Sequence, residues 1–189
     1  MIPNVYFSPS LMDHFTKMKY TFVDKGADAM VFISPKGDIV KIVGANKPEA
    51  HRIIVKWVEF CKRHTDTHLL PHHISQSAFI YDDNDYVQVR MERLFRLPGS
   101  MGNAFEQVID YILASDTIDD AKQLIAEDAE DHLGLIEVLN AVENFDELFV
   151  VVKALDKIAA SNGWDLDLHS DNAMLDDHGK LVIIDPWYY

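Results

Sequence analysis

The stretch WDLDLHSDNAML (164–175) collects aspartates, a histidine and an asparagine between apolar residues. It has three interpretations: a calcium loop, an acidic surface turn, or the reactive centre of an enzyme. An EF-hand calcium loop that began at Asp165 would need glycine at its sixth position and glutamate at its twelfth. Ser170 and Asp176 stand at those positions. The calcium loop is therefore rejected.

The spacing around Asp167 favours the reactive centre over the surface turn. Asn172 follows Asp167 by five residues, and a hairpin returns the chain to Asp185 at the end of a short apolar strand, residues 181–184. Phosphoryl transfer needs one carboxylate that orients the attacking hydroxyl and oxygen ligands that hold Mg²⁺ on the phosphates. Asp167 fits the first role, and Asn172 and Asp185 fit the second. A polar turn would explain the composition but not this arrangement.

The composition limits the class of protein. The chain has 189 residues, of which 48% are hydrophobic and 25% charged, as in globular proteins with a sizeable core. We expect no membrane span and no signal peptide, because no long apolar run and no basic start followed by an apolar stretch occur. Cys61 is the only cysteine, which excludes an internal disulfide and fits a reducing cytoplasm. A cytoplasmic protein is therefore expected.

The net charge of −14 restricts the partners. A chain this acidic repels phosphate backbones, so nucleic-acid binding is not expected. The charge favours basic partners, and a nucleotide site would need local cations or metal ions. An acidic inhibitor that acts by binding is also compatible with this charge.

The first half of the chain has the pattern of strands around one helix. The predicted strands are residues 19–24, 29–34, 39–43, 78–81 and 86–91. Turn residues stand at 35–38 and 82–85, and Pro48 opens the helix. The predicted order is three strands, one helix and two strands.

The second half becomes helical after a boundary at residues 97–100. Helical patterning runs over about 103–161, and Asn144 begins the last helix. The run 149–152 is strand-like, but the length of the segment favours helix. Asn162-Gly163 ends the helix, and a hairpin turn follows at residues 176–179.

The motifs DLHSDN and VIID resemble those of the protein-kinase-like superfamily. They look most like the aminoglycoside and choline phosphotransferases and the small early-gene protein kinases of short-tailed phages, in which a hairpin and a D-P pair, here Asp185-Pro186, follow the loop. The strand order of the first half also resembles a kinase small lobe. The resemblance implies an α+β, bilobal, kinase-like fold with an N-lobe at 1–95 (five strands and one helix) and a reduced, mostly helical C-lobe at 96–189.

The resemblance implies roles for two residues of the N-lobe. Lys41, in DIVKIV, stands where the family's strand lysine binds the α- and β-phosphates. The alternative for Lys41 is a charge that protects an edge strand. Gly26 lies where a glycine-rich loop would cover the phosphates, although an ordinary hairpin turn is the alternative.

The family's helix glutamate has two candidates, Glu49 and Glu59. Glu49 shares a helix face with Ile53 and is preferred as the partner of Lys41. A helix-start carboxylate favoured by the dipole is the alternative for Glu49. Glu59 falls on the polar face, where solvation is the default. Glu92 lies in the segment whose backbone would meet the adenine ring.

Three departures from the family pattern qualify the resemblance. Asp165 replaces the histidine of the family's H-x-D, and Pro-Trp follows Asp185 in place of Phe-Gly. The sequence stops at Tyr189, so no switching by activation-loop phosphorylation is expected. Recognition of a protein substrate would then fall to the helices at about 100–145.

The histidines raise one further alternative. Cys61 and four histidines crowd CKRHTDTHLLPHH, and His64 and His68 have a spacing that could bind zinc on a helix. Helix continuity is doubtful there, and the resemblance makes the segment a link between helix and strand. His169 is expected to pack and orient the loop.

The resulting prediction is a phosphotransferase that uses ATP and Mg²⁺, with a compact phage-type Ser/Thr protein kinase preferred. Its partner would be a basic protein substrate or host protein, in the host cytoplasm if a phage encodes the chain. The alternatives are a small-molecule phosphotransferase of aminoglycoside type and a non-catalytic pseudokinase or acidic inhibitor that binds a host protein.

Overall fold

The computed structural model describes residues 9–25, 29–44, 48–129 and 133–189. These form two compact units: the described residues up to Arg63 with His72–Arg93, and His64–Pro71 with Leu94–Tyr189. The predicted α+β class is confirmed. The first unit holds an antiparallel five-stranded sheet, and the second is mostly helical.

The first unit is built on a sheet of order β1-β2-β3-β5-β4, in which all neighbours are antiparallel. Its elements are α1 (Pro9–Lys17), β1 (Thr21–Lys25), β2 (Ala29–Ile33), β3 (Ile39–Gly44), α2 (Pro48–Arg63), β4 (Ser75–Tyr81) and β5 (Asn84–Met91). The five strands occur where the sequence predicts them, within a few residues. The predicted turn at 82–85 is a two-residue hairpin turn whose residues Asp82 and Asp83 have φ of 51° and 57°.

Helix α1 is an addition to the single helix that the sequence predicts for this part. Leu11 and Phe15, four residues apart, form its buried face and join a cluster with Phe32, Val40 and Ile42. The Phe15 and Phe32 rings stack with centroids 4.9 Å apart. A helix of nine residues has too few apolar positions to stand out in the sequence, so its packing on the sheet stabilises it.

The second unit combines four helices with short strands. Its elements are β6 (Phe95–Arg96), α3 (Gly99–Ala114), α4 (Ile118–Ala129), α5 (Leu133–Ala141), α6 (Phe145–Asn162), β7 (Asp165–Leu166), a 3₁₀ turn (Ser170–Asn172), β8 (Ala173–Leu175), β9 (Leu181–Ile183) and β10 (Trp187–Tyr188). Strands β6, β8 and β9 form one sheet, and β7 pairs with β10. Helix α3 begins at Gly99, earlier than the helical pattern predicts.

Helix α6 delivers the chain to the predicted reactive centre. The Asn144 side chain accepts hydrogen bonds from the backbone N–H groups of Asp146 (3.1 Å) and Glu147 (3.4 Å), so Asn144 caps the helix as predicted. Gly163 ends it with a left-handed φ of 69°. The strand-like run 149–152 is helical, with Val150 exposed and Val152 fully buried. In the described ranges, no helix has the length and apolarity needed to cross a membrane.

Candidate functional site

Backbone hydrogen bonds connect both ends of the loop 167–172 to the segment that contains Asp185. The Asp167 N–H donates to the carbonyl oxygen of Pro186 at 2.8 Å, and the Ile184 N–H donates to the carbonyl oxygen of Asn172 at 2.8 Å. Asp185 lies between Ile184 and Pro186. The backbone therefore brings together the three residues of the predicted reactive centre, and the β7–β10 and β8–β9 pairings hold both sides of it.

Asn172 orients the side chain of Asp167. The Asn172 Nδ2 group donates to the Asp167 carbonyl oxygen at 2.7 Å and to Asp167 Oδ2 at 2.9 Å. The reversed amide would set its oxygen against two acceptors, so the contacts determine the orientation. Both amide hydrogens are used by Asp167, and Oδ1 is the Asn172 atom that can bind a cation.

His169 bridges the middle of the loop. Its Nδ1 accepts a hydrogen bond from the Asp171 N–H at 3.2 Å. In a neutral ring the proton then lies on Nε2, which is 3.4 Å from Asp167 Oδ1. Nε2 is also 3.1 Å from Asn172 Nδ2. This geometry fits the expectation that His169 orients the loop.

Asp185 has a left-handed backbone, with φ of 49°. Such a conformation costs a residue other than glycine about 1–3 kcal/mol, although aspartate tolerates it better than most. The hydrogen bonds of its two neighbours, Ile184 and Pro186, hold this conformation. Strained residues of this kind cluster at active sites, where the strain directs a side chain.

Helix α3 supplies a residue that the sequence did not single out. Glu106 Oε1 accepts a hydrogen bond from the Ser170 N–H at 2.9 Å. The bonds from Ser170 to the carboxylate lower the pKa of Glu106 from its ordinary value of 4.5, while burial opposes the shift. Because Glu106 and Ser170 are 64 residues apart, no local pattern could have predicted this contact.

Lys41 lies on β3, an interior strand that pairs with β2 and β5. The edge-strand interpretation of Lys41 is therefore wrong. Val40 and Ile42 are fully buried on one face of the strand, and the half-buried Lys41 projects to the other. Its predicted phosphate contact stays a prediction.

The two glutamate candidates of α2 both have arginine neighbours. Glu49 Oε1, in the first turn of α2, is 3.1 Å from Arg52 Nη1. Glu59 Oε2 is 3.3 Å from Arg63 Nη2, and the Glu59 side chain is 46% exposed, as expected on a solvated face. The pairing of Lys41 with Glu49 stays a prediction.

The remaining candidates of the first unit have structural contacts or lie outside the described residues. The Glu92 carboxylate accepts hydrogen bonds from the backbone N–H groups of His72 (2.8 Å) and His73 (3.0 Å). This leaves the predicted adenine contact, which would use backbone groups, as a prediction. Gly26 lies outside the described residues.

The histidine-rich segment does not have the form of a zinc site. Helix α2 ends at Arg63, so His64 and His68 do not share a helix, and His68 Nε2 is 3.6 Å from Glu143 Oε2. Burial raises the pKa of the Cys61 thiol, which disfavours the thiolate that a metal would need. Within the described part of the chain, no three His, Cys, Asp or Glu side chains are grouped to hold a metal ion.

Magnesium has different requirements, and Asn172 and Asp185 have side-chain types that it can use. Mg²⁺ is commonly held by one or two carboxylates, with substrate phosphates and waters completing the octahedron. One carboxylate and one amide oxygen on adjoining segments therefore fit a magnesium–nucleotide complex, whereas a stand-alone metal site needs more protein ligands.

Comparison with known proteins finds similar solved structures. No protein-family model and no curated protein matches the chain. An aminoglycoside phosphotransferase from Alicyclobacillus acidocaldarius has a TM-score of 0.37 and 15% identity, covering 87% of this chain and 60% of that one. The streptomycin–ATP ternary complex of APH(2'')-IIa has a TM-score of 0.33 and 16% identity, with coverages of 95% and 70%. ADP-bound APH(2'')-Ib has a TM-score of 0.33 and 13% identity, with coverages of 94% and 70%.

These enzymes belong to the protein-kinase-like superfamily. The chain spans 60% of the length of the Alicyclobacillus enzyme.

Proposed function

We propose that the protein is a phosphotransferase that moves the γ-phosphoryl group of ATP, bound with Mg²⁺, to an acceptor hydroxyl. The supporting observation is that backbone hydrogen bonds connect both ends of the loop 167–172 to the segment around Asp185. These hydrogen bonds bring the Asp167 carboxylate, which can orient a hydroxyl, to the same segment as Asn172 and Asp185. The side-chain oxygens of those two residues can be ligands of a magnesium–nucleotide complex.

Asp167 orients the acceptor. Its side chain is 37% exposed, so a hydroxyl can reach it, and the Asn172 amide limits its rotation. In the transfer, the acceptor oxygen forms a bond to the γ-phosphorus while the bond from that phosphorus to ADP breaks. The acceptor's proton passes to the Asp167 carboxylate.

Asn172 Oδ1 and the Asp185 carboxylate would hold Mg²⁺, which offsets the negative charge of the phosphates when it is bound. Lys41 would bind the α- and β-phosphates, supported by Glu49. The segment of Gly26 would cover the phosphates, and the backbone at Glu92 would meet the adenine. Each of these roles rests on the resemblance of the motifs.

For the acceptor, we prefer a serine or threonine of a basic protein. The D-x-H-S-x-N loop followed by Asp185-Pro186 resembles the phage kinases, and a net charge of −14 attracts cationic partners. A small molecule with a hydroxyl is the second candidate, because D-L-H-x-x-N also resembles the aminoglycoside enzymes.

The experiment is a transfer assay with radiolabelled ATP on the wild type and Asp167→Ala. Separate reactions contain bacterial lysate proteins and a panel of aminoglycosides. We expect label in one class of acceptor, reduced about 10²–10⁴-fold by Asp167→Ala. An absence of label together with no thermal shift by Mg-ATP would refute the proposal. Binding of Mg-ATP without transfer would favour a pseudokinase.

A further inference from the structure

Two residues of α3, Gly102 and Glu106, contact the 3₁₀ turn that contains Asn172. They are four residues apart, so they lie on one face of the helix. A Cβ atom at Gly102 would be 3.0 Å from Ser170 Cβ, closer than such atoms normally pack. The glycine therefore allows Ser170 to approach the helix backbone, where Glu106 meets its N–H group.

The bond from Ser170 to Glu106 supports the start of the 3₁₀ turn. Ser170 is the first residue of the turn, where backbone N–H groups have no partner within the helix. The Glu106 carboxylate accepts this N–H at 2.9 Å, and a bond to a charged acceptor is stronger than a neutral one. The lowered pKa of Glu106 agrees with this geometry.

A short series of hydrogen bonds connects the contact between Ser170 and Glu106 to the side chain of Asp167. The residue before Ser170, His169, accepts the Asn172 N–H on its carbonyl oxygen at 2.9 Å. The Asn172 amide then holds Asp167 Oδ2 at 2.9 Å. The position of Ser170 on α3 therefore determines where the Asn172 side chain meets Asp167.

We propose that Glu106 is a positioning residue, which holds the 3₁₀ turn on α3 so that Asn172 keeps Asp167 in its reactive orientation. The effect on rate rests on the proposed function, whereas the effect on the loop does not. Misplacement of a reacting group by about 1 Å can lower a rate about 100-fold. The loss includes kcat, because the orientation of Asp167 acts on the transfer step. The KM for Mg-ATP can change with it, because Asn172 is also a proposed Mg²⁺ ligand.

The test compares Glu106→Ala with Glu106→Gln, and Asp110→Ala serves as the matched control. Asp110 is an exposed carboxylate one turn further along α3. We expect Glu106→Ala to lower kcat about 10–100-fold and to accelerate hydrogen exchange of the Ser170 amide. Glu106→Gln keeps an acceptor oxygen and should restore most of both quantities. Asp110→Ala should match the wild type.

Two results would overturn the proposal: an unchanged kcat in Glu106→Ala, or a glutamine variant as impaired as the alanine variant. If Glu106→Ala does not fold, Gly102→Ala displaces Ser170 by its added Cβ and should lower kcat in the same way. A wild type that transfers no phosphate refutes the proposed function instead. In that case the hydrogen exchange of the Ser170 amide is the remaining test. An unchanged exchange rate in Glu106→Ala would also reject the positioning role of Glu106.

Discussion

The loop DLHSDN (167–172) and the turn DDHG (176–179) have similar residue types and lie a few residues apart in the same unit. The backbone N–H groups of the turn find their acceptors within the hairpin itself. Asp176 Oδ1 accepts the N–H groups of His178 and Lys180, each at 2.8 Å. The Asp176 carboxylate is thus occupied in holding the hairpin.

In the loop 167–172, by contrast, remote segments accept the N–H groups of Asp167 and Ser170. Pro186 accepts the Asp167 N–H, and Glu106 accepts the Ser170 N–H. The Asp167 carboxylate is therefore not needed to close a turn, and Asn172 orients it instead. Composition alone therefore does not distinguish a structural turn from a candidate reactive loop. The two differ in which groups accept the hydrogen bonds of the backbone N–H groups.

Substitution of one aspartate in each segment should distinguish the loop from the turn by activity, and this is the strongest effect that we expect. Asp167→Asn should lower phosphate transfer about 10²–10⁴-fold, because an amide cannot accept the acceptor's proton. Asp176→Asn should leave transfer unchanged, because its amide oxygen can still accept the two turn N–H groups. Transfer from radiolabelled ATP measures both variants. Equal losses in the two would mean that the loop and the turn do not differ in role.

A smaller effect is expected at Asp185, the proposed metal ligand. Asp185→Asn keeps a residue type that tolerates the left-handed backbone but removes a charge. We expect the Mg²⁺ concentration for half-maximal transfer to rise at least about tenfold. Asp177→Asn, a change at a 78% exposed side chain of the turn, is the matched control. A titration curve that coincides with the wild type's would remove Asp185 from the metal site.

The turn should instead affect stability. Asp176→Ala removes the acceptor of two backbone N–H groups and should lower the free energy of unfolding by about 1 kcal/mol. Its transfer rate per folded molecule should match the wild type's. Denaturant unfolding followed by circular dichroism gives the first quantity. An active-site role for the turn would be indicated by lost transfer at unchanged stability.

The smallest expected effect concerns acid. The bonds from Ser170 hold the pKa of Glu106 below its ordinary value of 4.5. The ionised carboxylate therefore contributes its full stabilisation above pH 4.5, and this is lost as the pH falls through the lowered value. The stability difference between the wild type and Glu106→Gln should shrink in that acidic range. A difference that stays constant there would contradict the assigned anchor.

Several elements could be predicted because their determinants are local. The cap and end of α6 depend on Asn144 and Gly163, which lie next to the helix they terminate. The hairpin turn at Asp82–Asp83 likewise depends on residues that tolerate positive φ. Helix α1 was missed because its burial depends on a sheet formed later in the chain.

In the candidate site, too, the features with local determinants could be predicted and the contacts between distant residues could not. The residue types that suggest the proposed activity, Asp167, Asn172 and Asp185, can be recognised by their spacing within a short segment. The contact between Glu106 and Ser170 joins residues 64 apart, and no periodicity encodes it. The interior position of Lys41 depends on β5 pairing beside β3, which the strand pattern alone left open.

The residue types of the candidate site follow from the sequence: an acidic chain, a strand lysine, and a D-L-H-S-D-N loop followed by a hairpin and an aspartate. The hydrogen-bond partners of that loop became known from the three-dimensional structure. It bonds the ends of the loop to the segment of Asp185 and anchors Ser170 on α3. Backbone polar groups need hydrogen-bond partners, and for Asp167 and Ser170 those partners lie in other segments of the chain.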